Sequence, residues 1–345
     1  MYSFKDDYSE GAHPKILDAL VSTNLNQEDG YSMDSHCMHA IELLKNATND
    51  KNIDVHFISG GTQTNLLAIS CALRPHEACI SAKTGHIAGH ETGAIEATGH
   101  KVITVANSEG KLSPKIIQPV LDDYNFEYSV KPRLVYISNP TELGTIYTAK
   151  ELKSLYEYCS ENGLLLYLDG ARLSSALVVP EAELSLELVN KYTDAFFFGG
   201  TKNGALLGEA LIFSNEAFKN DFRYMLKQRG AMLAKGRILG IQFETLLKDD
   251  LYLELGKYAR DLAQYAQEEL SNMGFGLLVE SPTNQIFPVF SDDMISELRK
   301  DFAFHDWSQM AEGSTCIRLV FSWATPKEKV DEFLEKVSML KERDL

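Results

Sequence analysis

The sequence predicts an α/β protein: a large domain built on a mostly parallel sheet, followed by a small C-terminal α+β domain. Three observations lead there. Up to about residue 214, short apolar runs recur that are continuous rather than alternating, as expected of strands covered on both faces. Helical patterns lie between several of these runs, which is the rhythm of strand–helix–strand units. Past that point the pattern changes to long helices and then to short mixed segments. At 345 residues the chain also exceeds what one compact core usually covers.

The runs are justified in chain order. "DVHFIS" (54–59), "EACISA" (77–82), "HKVITV" (100–105), "RLVYIS" (133–138), "LLLYLD" (164–169), "DAFFFG" (194–199) and "EALIFS" (209–214) read as strands. "TQTNLLAISCAL" (62–73) follows the first as a helix, and "TAKELKSLYEYCSEN" (148–162) follows the fourth. The latter opens with a capping-box pattern, Thr148 to Glu151. Residues 216–273 read as long helices. Strands are expected at 274–280, 285–291 and 316–323, a short helix at 292–300 and a closing helix at 326–343. The large domain is placed at 1–250 and the small one at 251–345.

Composition narrows the function. Hydrophobic residues make up 44% and charged residues 24%, as in ordinary globular proteins. The net charge of −16 argues against nucleic acid or an anionic membrane surface as partner, since both require a basic face. No apolar run reaches the roughly 18 residues that suggest a membrane span, and the N-terminus is too polar for a signal peptide. The five cysteines are scattered and never in CxxC spacing, so reduced thiols in a cytoplasmic protein are expected, and no metal site.

Ligands of open α/β sheets sit beyond the carboxyl ends of the strands, so the residues there are the candidates. "SGGTQTN" follows the first strand. Its two glycines and Thr62 open a helix whose free N–H groups suit a phosphate, or else simply make a tight turn. It is neither a P-loop nor GxGxxG. Asp169 ends an apolar run, where a lone carboxylate is costly. It either joins a structural ion pair or faces a cationic ring nitrogen. Arg172, three residues on, carries a fork suited to carboxylate or phosphate, or else pairs with Asp169. Lys202 follows "FFFGGT". A lysine desolvated at a strand end has a lowered pKa and reacts with aldehydes, whereas one that snorkels to water does not. Lysine, aspartate and phosphate turn together meet the three needs of pyridoxal 5′-phosphate.

At this point the chain resembles the threonine aldolase/β-eliminating lyase family, of the aspartate-aminotransferase-like fold (fold type I of pyridoxal-phosphate enzymes). "SGGTQTN", "HIAGHETGA", "NPTELGTIYT", "LDGARL", "GGTKNGALLGEA" and "CIRLVFSWAT" carry the resemblance, in order, over roughly residues 4–325. "TKNG" and "NPTELGTIYT" look closest to the phenylserine and L-allo-threonine aldolase branch. The resemblance implies that Lys202 forms the aldimine, Asp169 pairs with the pyridine nitrogen, and Gly61 and Thr62, helped by Thr201, hold the phosphate. It implies that His86 stacks on the ring and reaches the substrate hydroxyl, and that Arg172 and Arg318 bind the substrate carboxylate. In "CIRLVFSW", Ile317, Leu319 and Phe321 share one face by period two, so Arg318 points to the other.

Two departures from the family pattern stand out. Glu142 occupies the place where many relatives have a second histidine, so His86, Glu142 or a water is left as base for the hydroxyl proton. "FKDDYS", with Asp6 and Asp7, replaces a stretch whose serine touches the carboxylate in relatives, and an ionised aspartate cannot donate there. His90 is a weaker candidate base, and Glu91 is expected to orient a neighbour. The expected activity is cleavage of a β-hydroxy-α-amino acid to glycine and an aldehyde, with β-elimination or transamination as the alternative. A regulatory phosphate-binding module is disfavoured by the lysine of "TKNG". Relatives are dimers or tetramers with shared sites, in which Tyr31 would reach a neighbour's phosphate and Lys235 would lie near a site.

Overall fold

The computed structural model of the protein describes residues 1–343. A short N-terminal strand, β1 (Tyr2–Ser3), precedes the seven strands of the central sheet. These are β2 (Asp54–Ile58), β3 (Glu77–Ala82), β4 (Val102–Val105), β5 (Lys131–Ser138), β6 (Leu165–Asp169), β7 (Ala195–Gly199) and β8 (Glu209–Phe213), matching all seven predicted runs. Their spatial order is β2-β8-β7-β6-β5-β3-β4. β4, β3, β5, β6 and β7 pair in parallel, while β8 runs antiparallel to both β2 and β7. The link from β7 to β8 is too short for a helical crossover, and a short link returns the chain antiparallel.

The continuous apolar runs have a simple cause. Phe196 and Phe198 of β7, Leu166 and Leu168 of β6 and Ile212 of β8 pack into one hydrophobic cluster. Phe197, Tyr167 and Phe213, on the alternate positions, pack into a second on the opposite face. Both faces are covered by helices, so neither half of the period-two pattern can be polar. Each large apolar side chain so buried contributes roughly 1.5–3 kcal/mol. The helix Ala149–Glu161 begins with the full capping box: Thr148 Oγ1 accepts from the Glu151 N–H, and Glu151 Oε2 accepts from the Thr148 N–H.

Residues 216–273, expected as long helices, open with two short ones, Glu216–Lys219 and Phe222–Gln228, before the longer Arg237–Leu247 and the 22-residue Leu251–Asn272. A small antiparallel sheet follows, of β9 (Gln285–Ile286), β10 (Val289–Ser291), β12 (His305–Ala311) and β13 (Ser314–Val320), while β11 (Phe302–Ala303) pairs with β1. Two expectations change here. Residues 274–280 make no strand but one isolated bridge, Leu277 to Pro288. The predicted 285–291 strand is broken at Phe287–Pro288, because proline has no N–H for the ladder. β12 escaped the pattern reading since it is a largely exposed edge strand without apolar alternation.

The N-terminal arm ties the parts together. Phe4 is buried in the cluster beneath the small sheet, and its carbonyl accepts from Val320 at 2.9 Å. Nine residues on, the His13 N–H donates to the Gly204 carbonyl, just past Lys202, at 2.8 Å. Among the described residues no helix is long and apolar enough to cross a membrane.

Candidate active site

A cavity of about 710 Å³ opens at the carboxyl ends of the parallel strands. Gly61 and Thr62 after β2, His86 after β3, Glu142 after β5, Asp169 and Arg172 at β6, and Thr201 and Lys202 after β7 all line it. Arg318 reaches it from β13. The structure thus brings together every residue singled out for catalysis, cofactor or carboxylate.

Asp169 is 5% exposed and fully engaged, but not with Arg172. Its Oδ2 accepts from the Tyr136 hydroxyl at 2.6 Å and from Asn65 Nδ2 at 3.0 Å, and its Oδ1 from the Ala171 N–H at 3.0 Å. Those donors hold a negative charge in place at a buried site. Asn65 also donates to Glu91 Oε1 at 2.7 Å and accepts from the Tyr167 hydroxyl at 2.9 Å. Glu91 Oε1 in turn lies 2.7 Å from His86 Nδ1. A carboxylate only accepts, so Nδ1 carries the proton and Nε2 is left as the acceptor. Burial lowers the His86 pKa, but the Glu91 hydrogen bond and the charge of Asp169 outweigh it and leave it raised.

Glu142 Oε1 accepts from the Ser138 hydroxyl at 2.7 Å and from the His86 N–H at 2.9 Å. Burial nevertheless pushes its carboxyl above the usual range. His90 stands on the exposed side, its ring 5.6 Å from that of His86. Burial and the charges of His86 and Arg318 lower its pKa.

Lys202 is half-buried, with Nζ 5.9 Å from the centroid of the Tyr8 ring. Burial and the charge of Arg172 depress its pKa against the opposing pull of Asp7, Asp169 and Glu209. Glu209 is 4% exposed, and its Oε2 accepts from the Gly200 N–H at 3.0 Å. Burial raises its carboxyl to about 7. Sequence reasoning missed Glu209 because it begins a strand. β8 alone runs backward, so its first residue lies where the other strands end. Thr201 is pinned to the same turn, its Oγ1 accepting from the Gly208 N–H at 3.0 Å.

The helix Gly61–Ala72 has no side-chain cap, and a Cβ built on Gly60 or Gly61 would meet nothing within 4 Å. With no side-chain cap, its first N–H groups are left for a ligand at the positive end of a helix, which suits a phosphate. With a buried aspartate and a desolvated lysine in the same cavity, the residues present fit pyridoxal phosphate. The two arginines differ in state. Arg172 donates from Nε and Nη2 to both oxygens of Asp7, at 2.7 and 3.0 Å. Arg318 stacks on Trp307 at 5.1 Å, and its buried Nε has no partner among the described residues. Tyr31 and Lys235 lie outside this cavity, and the Tyr31 ring sits under Lys227 Nζ at 4.6 Å.

Comparison with known proteins gives the family. The beta-eliminating lyase family model matches residues 6–293. The low specificity L-threonine aldolase of Pseudomonas aeruginosa is 31% identical over 98% of this chain and 97% of its own length. The solved threonine aldolase of Leishmania major is 48% identical, covers 99% of both chains and superposes with a TM-score of 0.97. An aromatic aminotransferase of Pyrococcus horikoshii, 18% identical over 99% of this chain and 96% of its own, has a TM-score of 0.73, a likeness of fold alone. The chain therefore belongs to the threonine aldolase/beta-eliminating lyase family, as a pyridoxal 5′-phosphate-dependent lyase of the aminotransferase-like fold.

Proposed function

We propose that the protein cleaves β-hydroxy-α-amino acids of the threonine, allo-threonine or phenylserine type into glycine and an aldehyde. The observation that carries this is the convergence of Lys202, Asp169, an uncapped helix N-terminus and two guanidiniums on one cavity. The names of the relatives, L-threonine and threonine aldolases, support the substrate class. Pyridoxal phosphate, when bound, supplies an electron sink for the pair released as Cα–Cβ breaks.

The chain's residues supply the rest. Lys202 is the amine that would hold the cofactor, and its depressed pKa favours the uncharged, nucleophilic form. Asp169 would keep the ring nitrogen of the bound cofactor protonated, and its own three donors keep the carboxylate oriented. Gly61, Thr62 and Thr201 would hold the phosphate. His86 would lie against the bound cofactor and its Nε2 would take the β-hydroxyl proton, with Nδ1 fixed on Glu91. Glu142, with its raised pKa, is neutral more often than a free glutamate and holds the His86 backbone instead of replacing it as base. Arg318 and Arg172 face the substrate carboxylate.

The division into a 1–250 cofactor unit and a 251–345 cap is part of the same reading, although its last two residues lie outside the described ones. Helix Leu251–Asn272 supplies Leu251 and Leu255 to the first core and Leu262 and Leu270 to the second. A homodimer or homotetramer is supported by the exposed Val21, Leu25 and Met33 in one N-terminal stretch. Five unpaired thiols support a cytoplasmic location. The test is incubation of the loaded protein with L-threonine, L-allo-threonine and phenylserine. Release of glycine and the matching aldehyde is expected, whereas pyruvate or another keto acid without aldehyde would point to elimination or transamination.

A further inference from the structure

A second cavity, of about 380 Å³, lies away from Lys202. Asp194, which precedes β7, and Ser214, which follows the reversed β8, both line it, so it opens at the opposite end of the sheet. Its carboxylates come from three places: Asp50 after the helix Ser35–Ala47, Glu187 in the helix Leu186–Lys191, and Asp194. Each accepts from neutral amides. Asp50 takes the Asn52 N–H at 2.8 Å and Asn190 Nδ2 at 3.2 Å, and Glu187 takes Asn49 Nδ2 at 3.2 Å. Asp194 takes the Leu166 N–H and Asn215 Nδ2, both at 2.7 Å. Lys191 also lines the cavity, but its Nζ lies over the Tyr192 ring at 5.5 Å. Burial pushes the Asp194 carboxyl up in spite of its donors and the charge of Arg133.

Asn190 gives a second, independent sign. It lines the same cavity and is 7% exposed. With Nδ2 spent on Asp50, its buried Oδ1 meets no donor among the described residues. A buried acceptor left unmade is costly, and a ligand N–H would relieve it. The ligand must therefore donate hydrogen bonds and carry positive charge. Among the described residues, no three acidic, histidine or cysteine side chains are grouped to hold one metal ion. The acceptors are spread over separate elements instead, which suits ammonium groups at the two ends of one molecule. Half-buried Tyr156 offers apolar surface for the methylenes between them. We propose that this cavity binds a linear aliphatic diamine or polyamine, held by Asp50, Glu187 and Asp194 and donating to Asn190 Oδ1. The site is independent of the chemistry at Lys202.

The test is titration calorimetry of 1,4-diaminobutane into borohydride-reduced holoenzyme, in which the reduced cofactor cannot condense with an added amine. A net charge of −16 attracts any cation, so n-butylamine and magnesium chloride at matched ionic strength are the controls. The diamine should bind saturably, once per chain, and roughly tenfold or more tighter than butylamine, which has one charged end. Asp50→Asn with Glu187→Gln should weaken the diamine at least roughly tenfold, and Asn190→Leu severalfold. The diamine should also raise the melting temperature of wild type more than that of the double variant. Equal binding of diamine and butylamine, or of diamine and magnesium, overturns the proposal. So does unchanged diamine affinity in the double variant. Should Asn190→Leu fail to fold, the double variant decides, because Glu187 is exposed and Asp50 half-buried, both outside the apolar core. The readout is binding, not turnover, so failure of the proposed aldol cleavage would leave this site standing.

Discussion

At the scale of single residues, Lys202 and Glu209 share one poorly solvated cavity, and burial pushes both toward their neutral forms. Replacing Glu209 by Gln removes one negative charge that favours the ammonium. The Lys202 pKa should therefore fall further, read as an earlier rise in the pH dependence of Lys202 acylation in cofactor-free protein; an unmoved curve would contradict the coupling. Stability follows with a definite sign. Glu209 has a folded pKa near 7 against an ordinary 4.5, so the folded state binds the extra proton in that window. Its contribution is fully present below 4.5 and lost as pH rises through about 7. Melting temperatures of the cofactor-free protein should decline across that window in wild type and less in Glu209→Gln. Asp169→Ala should release the cofactor on dialysis and strand the donors on Tyr136 and Asn65, at roughly 1–3 kcal/mol for a buried unsatisfied group. Lys202 and Asp169 were legible because each stands at the end of an apolar run. The Asp7–Arg172 pair was not, since its partners lie 165 positions apart in the chain.

At the scale of elements, the helix Gly61–Ala72 is built without a cap and Ala149–Glu161 with a full one. Thr148→Ala should cost about 1 kcal/mol, visible in the urea midpoint, and leave cofactor affinity alone. Gly60→Asp should do the reverse. The extended Gly60 backbone admits a side chain, and its Cβ meets nothing within 4 Å. The new carboxylate would cap the helix, stabilise the cofactor-free protein and compete with the phosphate. A cofactor dissociation constant unchanged in Gly60→Asp would argue that the phosphate binds elsewhere. The seven central strands were legible because two apolar faces leave no polar alternation to confuse the reading. The small sheet was not, because Pro288 interrupts one strand and exposure hides the pattern of β12. Nothing in the sequence alone says that β8 runs backward, and that direction is what delivers Glu209.

At the scale of the whole molecule, a site assembled from six strand ends and a second unit depends on their relative placement. The arm bridges both: Phe4 is fixed on the small sheet, Asp7 on Arg172, and His13 on the loop after Lys202. The family resemblance was legible as motifs in order, but the distances that make them one site come only from the fold. All of it converges on one amine reacting with one aldehyde. Borohydride reduction of the holoenzyme, digestion and mass spectrometry test this most directly. The account predicts the reduced cofactor on the peptide bearing Lys202, and none after Lys202→Ala. A label on another lysine, or a label that survives in Lys202→Ala, would contradict it.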